Sequence, residues 1–272
     1  MTRRRLSVSL LLLLTPLAGC GSAPPRQPAA LEQAGKTDQA AHRAMRDGDL
    51  LRARELFRQS MLMQQALDNA PARAQAAINL ASVSHRLGDD EAALAVLEPI
   101  LTEDKPYPGE LRAAAALRKG VILADAGKPA DAAWQQAQQE CHQSCAYRAG
   151  ITNLGARLAA ARGDHAAALA LAQQGLAGSP GQDEQANGLR LSAAAETALG
   201  QQDKALAHYQ GALEIDTALG LSRRIAADLH GMAEVLGKLG RAGDAAQYAQ
   251  RATAVDEAVS SLSASAGKRA VP

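Results

Sequence analysis

Apolar and polar residues alternate along most of this chain with the three-to-four-residue spacing of amphipathic helices, interrupted at regular intervals by glycine. The stretch Leu199 to Asp216, LGQQDKALAHYQGALEID, shows the unit. Gly200 ends one helix, because only glycine takes a left-handed backbone without steric cost. Asp203 is placed to cap or charge the start of the next helix. Ala205, Tyr209, Ala212 and Leu213 then recur on one face. Turn glycines in the same setting stand at Gly48, Gly88, Gly127, Gly163, Gly200 and Gly240, separated by 40, 39, 36, 37 and 40 residues. About five residues after each comes a small residue: Ala53, Ala93, Ala132, Ala168, Ala205 and Ala245. Four residues later stands Phe57, Leu97, Gln136, Ala172, Tyr209 or Ala249. A small residue lets a neighbouring helix approach closely, and a larger one a turn later fills the space beside it.

This pattern predicts six helical hairpins, and their boundaries can be read from the punctuation. The helices are expected at Ala29–Arg46 and Leu50–Asn69, Pro71–Leu87 and Asp90–Glu103, Glu110–Ala126 and Pro129–Glu140, Ala146–Arg162 and His165–Ala177, Asp183–Leu199 and Gln202–Leu219, and Ser222–Leu239 and Ala242–Ser260. The prolines of EDKPYPG (103–109) and the GSPGQ break (178–182) separate hairpins. Pro129 suits a helix first turn, and Asp89 with Asp90 reads as a helix start. Met61, Leu62, Met63 and Leu67 read as a core stripe, and Trp134 as a packed side chain. Residues 261–272 read as a frayed tail.

The cadence resembles the tetratricopeptide repeat (TPR), most closely at Asn79 to Leu101, Leu199 to Asp216 and Leu229 to Ala252. The usual repeat has 34 residues, so the spacing here matches the family's longer variants. The resemblance covers nearly everything from Ala29 to Ser260. It implies an all-α, right-handed α-solenoid of about six TPR-like hairpins, a scaffold that serves many functions.

The first residues carry a different pattern. Arg3, Arg4 and Arg5 precede an apolar run, Leu6 to Leu14, too short to span a bilayer as a mature helix. Leu17, Ala18, Gly19 and Cys20 match a lipobox, the processing site of bacterial lipoproteins; a plain secretory signal is the alternative. The resemblance implies a signal peptide at 1–19 and lipidation of Cys20, with two or three acyl chains that anchor the protein stably. Gly21 in place of Asp implies the outer membrane, facing the periplasm. Residues 20–28, including SAPPRQP, form the lipidated cysteine and a proline-rich tether.

Composition narrows the function. Hydrophobic residues make up 47% of the chain and aromatics only 2%, so the core must be built from Ala and Leu. The formal charge is +1. Loss of residues 1–19, which hold three Arg and no acid, takes it to −2. No basic footprint for nucleic acid exists. Six histidines, His42, His85, His142, His165, His208 and His230, fall in no metal-binding pattern, and nucleophile-elbow, phosphate-loop and dinucleotide motifs are absent. The sequence therefore predicts neither a catalytic constellation nor a metal or cofactor.

Two features remain. In CHQSC, Cys141 and Cys145 are the only cysteines besides Cys20. In an oxidising compartment they read as a structural disulfide, with a redox pair or a metal site with His142 as alternatives. The second feature is the concave groove. In the TPR family the first helix of each hairpin lines it, and the matching positions are Gln75, Ser82 and His85, Asn153 and Arg157, Asn187 and Arg190, and His230 and Glu234. Asn153 with Arg157 and Asn187 with Arg190 resemble a clamp for a peptide carboxylate; a solvated helix face is the alternative. The expected role is a non-enzymatic adaptor for a protein or peptide partner in an envelope assembly, one variant being a pilotin-like assembly factor for a pilus or secretin. A thiol-redox protein using Cys141 and Cys145 is the contrasting class.

Overall fold

The computed structural model describes residues 28–102, 107–142, 145–178 and 181–269, with side chains to 261. The segment expected to be a signal peptide, Cys20 and all but the last residue of the expected tether lie outside the described residues. Twelve helices follow one another among those described: α1 (Ala29–Arg46), α2 (Leu50–Ala66), α3 (Ala70–Arg86), α4 (Asp90–Thr102), α5 (Gly109–Asp125), α6 (Asp131–Glu140), α7 (Arg148–Ala161), α8 (His165–Ala177), α9 (Gln182–Ala198), α10 (Gln202–Leu219), α11 (Ser222–Lys238) and α12 (Ala242–Arg269). They pair as six hairpins, and each helix packs against the one before and the one after. The chain is thus an all-α, TPR-like solenoid.

One turn chemistry builds every hairpin. Gly48, Gly88, Gly127, Gly163, Gly200 and Gly240 all have φ between 66° and 82°. The amide that follows each glycine bonds back to a carbonyl five residues earlier, as Asp49 N does to Ala44 O and Arg241 N to Leu236 O. In three turns the glycine is followed by an aspartate that caps the next helix. Asp49, Asp89 and Asp164 accept hydrogen bonds from the amides of Arg52, Ala92 and Ala167. Asp203 does not cap. α10 begins at Gln202 and Asp203 sits in its first turn, where its negative charge is favourable beside the positive end of the helix dipole. The same backbone turn recurs between hairpins at Gly220 (φ 68°) and Asp68 (φ 51°), the one described non-glycine residue in the left-handed region.

Small residues let the helices close up. Ala53, Ala93, Ala168 and Ala205 are buried, as are Phe57, Leu97, Ala172 and Tyr209 four residues on. The third hairpin departs from this register. Its connection runs Gly127–Lys128–Pro129–Ala130, so α6 starts at Asp131 and Pro129 lies outside the helix rather than in its first turn. The buried positions slip by one, to Ala133 and Ala137, and Ala132 is exposed. Ala245 and Ala249 are only half-buried, because among the described residues no further hairpin packs over α12.

The stripe expected over residues 61–67 is corrected. Neighbouring residues on a helix cannot share a face, and Leu62 points outward. The buried face of α2 is Ala53, Phe57, Ser60 and Gln64, with Met61 packed at its edge. Trp134 is packed as anticipated. Its Nε1 donates to Ile151 O at 3.0 Å, and its ring occupies the space that a side chain on Gly155 would fill. α12 runs on to Arg269, beyond the Ser260 limit read from sequence. Among the described residues no helix is long and apolar enough to cross a membrane.

Candidate partner-binding groove

The first helices of successive hairpins touch one another, α3 with α5, α5 with α7, α7 with α9 and α9 with α11. Successive second helices make no comparable contact among the described residues. A stack curves toward the side where its units approach most closely, so the first helices line the inside of the coil. On α3 the half-exposed inner stripe is Gln75, Asn79 and Ser82, ending at the exposed Arg86.

Six of the nine residues expected in the groove fall into three pairs. Gln75 and Ser82 lie on the inner stripe of α3: Gln75 Nε2 donates to Asn79 Oδ1 at 3.4 Å, and Ser82 Oγ donates to Ile78 O at 2.8 Å. His85 and Arg157 meet through one carboxylate. His85 Nδ1 lies 2.6 Å from Asp90 Oδ1 and its Nε2 lies 2.8 Å from Asp125 Oδ2, while Arg157 pairs with the other oxygen of Asp125. A chain of polar side-chain contacts thereby joins α3, α4, α5 and α7. His230 and Glu234 are exposed and pair locally, His230 Nε2 with Asp256 at 2.9 Å and Glu234 with Lys238 at 2.8 Å.

Asn153 and Arg190 are corrections, because neither faces the groove. Asn153 is 1% exposed and wedged beside Gly175 and Gly188. Its Nδ2 donates to Glu184 O at 3.1 Å and Glu184 Oε2 at 2.8 Å. Asn187 Nδ2 reaches the same Oε2 only at 3.5 Å. Arg190 turns between helices instead. Its Nε donates to Asp228 Oδ1 at 2.6 Å and its Nη2 to Asp216 Oδ2, and both aspartates are 0% exposed. A second-helix acid and the next hairpin's acid thus claim the guanidinium, and the clamp pairs implied by the family register do not form. One cation serves two buried carboxylates, and Asp228 is pushed up to about 6, by burial first and then by Asp216, against the pull of Arg190.

The groove instead gathers arginines the sequence reading did not single out. Arg118 lies on α5, in the third hairpin. Burial pushes its guanidinium down; Glu184, Asp183 and Asp125 oppose the drop and Arg224 adds to it. Its Nε is buried with no hydrogen-bond partner. Arg86, on α3, is likewise pushed down, by burial and then by Arg223 and Arg224 on α11. Residues of the second and third hairpins therefore lie within electrostatic reach of the sixth. The signal in the sequence was register: Arg118 stands nine residues before Gly127, as Asn79 does before Gly88.

At the junction of hairpins three and four, Cys141 and Cys145 are joined as a disulfide. Beside it a small cavity is lined by Gly109, Glu110, Glu140, His142 and Cys145. Its acids are engaged, Glu110 by Ala146 N at 3.1 Å and Glu140 by Arg112 Nε at 2.7 Å. Among the described residues no cluster of His, Cys, Asp or Glu is arranged to hold a metal ion.

Comparison with known proteins places the fold. No protein-family model matches the chain, and no curated protein does. Solved structures do. A Rap protein complexed with competence and sporulation factor superposes with a TM-score of 0.62 at 16% identity, over 83% of this chain. The chain spans 66% of that protein's length. BtubC (BKLC) from P. vanneervenii superposes with a TM-score of 0.54 at 14% identity, over 86% of this chain and 93% of its own. At these identities the likeness is one of fold, a TPR-like helical-repeat solenoid.

Proposed function

We propose that this chain is a lipid-anchored adaptor of the bacterial envelope, holding a protein or peptide partner on the inner face of its solenoid without catalysis. One observation carries this reading. The described residues consist of stacked hairpins whose first helices turn a polar, charged face inward. A solved structure of similar fold, the Rap protein, is complexed with competence and sporulation factor, which supports a groove that receives a partner. Anchoring rests on Leu17-Ala18-Gly19-Cys20, and Gly21 favours the outer membrane with the solenoid in the periplasm. The tether at 20–28 would hold the groove away from the lipid surface.

The test uses the full-length protein in its own membranes. Metabolic labelling with palmitate should mark the wild type and not Cys20→Ala, which should move to the soluble fraction; equal labelling removes the anchor. Affinity capture followed by mass spectrometry should enrich an envelope protein over an unrelated lipoprotein control. Without such enrichment the adaptor reading falls.

A further inference from the structure

The two sulfurs that close the connection between hairpins three and four differ in their surroundings. Both cysteines are half-buried against the core, and Cys141 caps the carboxyl end of α6. Of the two, Cys145 lines the partly open cavity of about 100 Å³ beside the bridge, together with Gly109, Glu110, Glu140 and His142. That space holds a few waters or the thiol end of a small molecule. Gly109 keeps it clear, because a Cβ there would lie 3.1 Å from Glu140 O and 3.6 Å from His142 Cδ2. The connection is also tied without the bridge. Arg148 Nη2 donates to His142 O at 2.7 Å, Ala146 N to Glu110 Oε1 at 3.1 Å and Cys145 N to His142 O at 3.1 Å. Cleavage of the bridge therefore loosens this connection without dismantling it, and the two sulfurs stay within reach of each other. A loop this short also gains less from closure than a long one.

We infer that the Cys141–Cys145 bridge is a thiol–disulfide exchange site, where a low-molecular-weight thiol enters the cavity and attacks Cys145. The thiolate of the small molecule bonds to Cys145 Sγ, the bond to Cys141 breaks, and Cys141 Sγ leaves with the electron pair. The small thiol's sulfur is oxidised to the mixed disulfide and Cys141 is reduced. Cys141 stands at the negative end of the α6 dipole, which disfavours a thiolate, so its sulfur takes up a proton from water. In the reverse step Cys141 gives up that proton, attacks Cys145 Sγ, expels the small thiol and restores the bridge. The exchange is stoichiometric and independent of the partner groove, so either reading can fail while the other stands.

The test exposes the oxidised full-length protein, in detergent and without denaturant, to millimolar reduced glutathione. Acid quenching and peptide mass spectrometry then locate the attached glutathione and keep Cys20 apart from the pair. Glutathione should be found on Cys145 about tenfold more often than on Cys141, because attack follows access to the sulfur. Cys141→Ser and Cys145→Ser, each offered oxidised glutathione, repeat the comparison on single sulfurs, and Cys145 should be modified about tenfold faster. Gly109→Ala, which narrows the cavity, should slow reduction of the bridge by about fivefold or more, with the melting temperature of the oxidised form unchanged. Should that variant melt lower, the distribution of glutathione over the two wild-type sulfurs decides. Equal modification of the two sulfurs overturns the site. So does a bridge that resists glutathione until urea unfolds the chain, or an undiminished rate in a fully folded Gly109→Ala.

Discussion

Asp216 and Asp228 are fully buried, and Arg190 is the one cation they share. Three ionised groups in that site would carry a net negative charge away from water, so a proton is held there more tightly than in the unfolded chain. Asp228 is accordingly pushed up to about 6. The sign of the pH effect follows from linkage. Between about pH 4 and pH 6 the folded state binds more protons than the unfolded state, so this group's contribution to stability falls as pH rises through that window. The neutral variant Asp228→Asn should abolish the fall. Measured by urea denaturation, its stability relative to wild type should improve by on the order of 2 kcal/mol between pH 4.5 and pH 7. An unchanged difference between the two pH values would show that Asp228 carries no extra proton. Tyr209 nearby is pushed up to about 12, chiefly by burial, and stays neutral throughout this range.

Where two helices meet across hairpins, glycine makes room for the few aromatic side chains. A Cβ added at Gly231 on α11 would lie 2.3 Å from Tyr209 Cζ, with the ring on α10 unable to swing aside inside a core that buries it. Gly231→Ala should therefore destabilise by about 1–3 kcal/mol. Combining it with Tyr209→Leu should recover part of that loss. Strict additivity in a double-mutant cycle would contradict the contact. Elements of this kind divide what was legible in the sequence from what was not. Gly88 and Asp89 announce the turn that joins α3 to α4, because a left-handed residue and an N-cap have strong local signatures. The slip in α6 escaped, since the Lys128–Pro129–Ala130 connection lengthens the turn without changing its composition. Asn153 and Arg190 were misplaced for a different reason. Family register says which side of a helix a residue occupies, but the choice between groove and interhelical crevice depends on what stands opposite, Gly175 and Gly188 for Asn153 and the buried Asp216 and Asp228 for Arg190. The electrostatic influence of Arg223 and Arg224 on Arg86 was out of reach of sequence. It depends on the rotation accumulated over four hairpins.

In a solenoid, stability is a sum of units and nearest-neighbour interfaces, so the weakest interface decides where the coil opens. That interface is between α6 and α7, where consecutive helices make their thinnest contact. α6, Asp131–Glu140, is also the shortest helix among the described residues. Specific ties compensate. Trp134 bonds Ile151 O, Glu110 accepts from Ala146 N, Arg148 Nη2 donates to His142 O at 2.7 Å, and the Cys141–Cys145 bridge holds the connection between them. Closing so short a loop contributes roughly 2 kcal/mol on the chain-entropy account, a small fraction of a protein's total stability but a large one for a single thin interface. Reduction should thus act locally. In reductant, or in the Cys141→Ser/Cys145→Ser variant, amide exchange in α6 and α7 should accelerate by about tenfold or more while α3 and α10 keep their protection. Urea unfolding should broaden toward two steps, with α1–α6 separating from α7–α12. If instead the reduced protein unfolds in one sharp transition with uniform loss of protection, the seam is not the weak point, and the hairpins on either side of the bridge are coupled through the contact of α5 with α7.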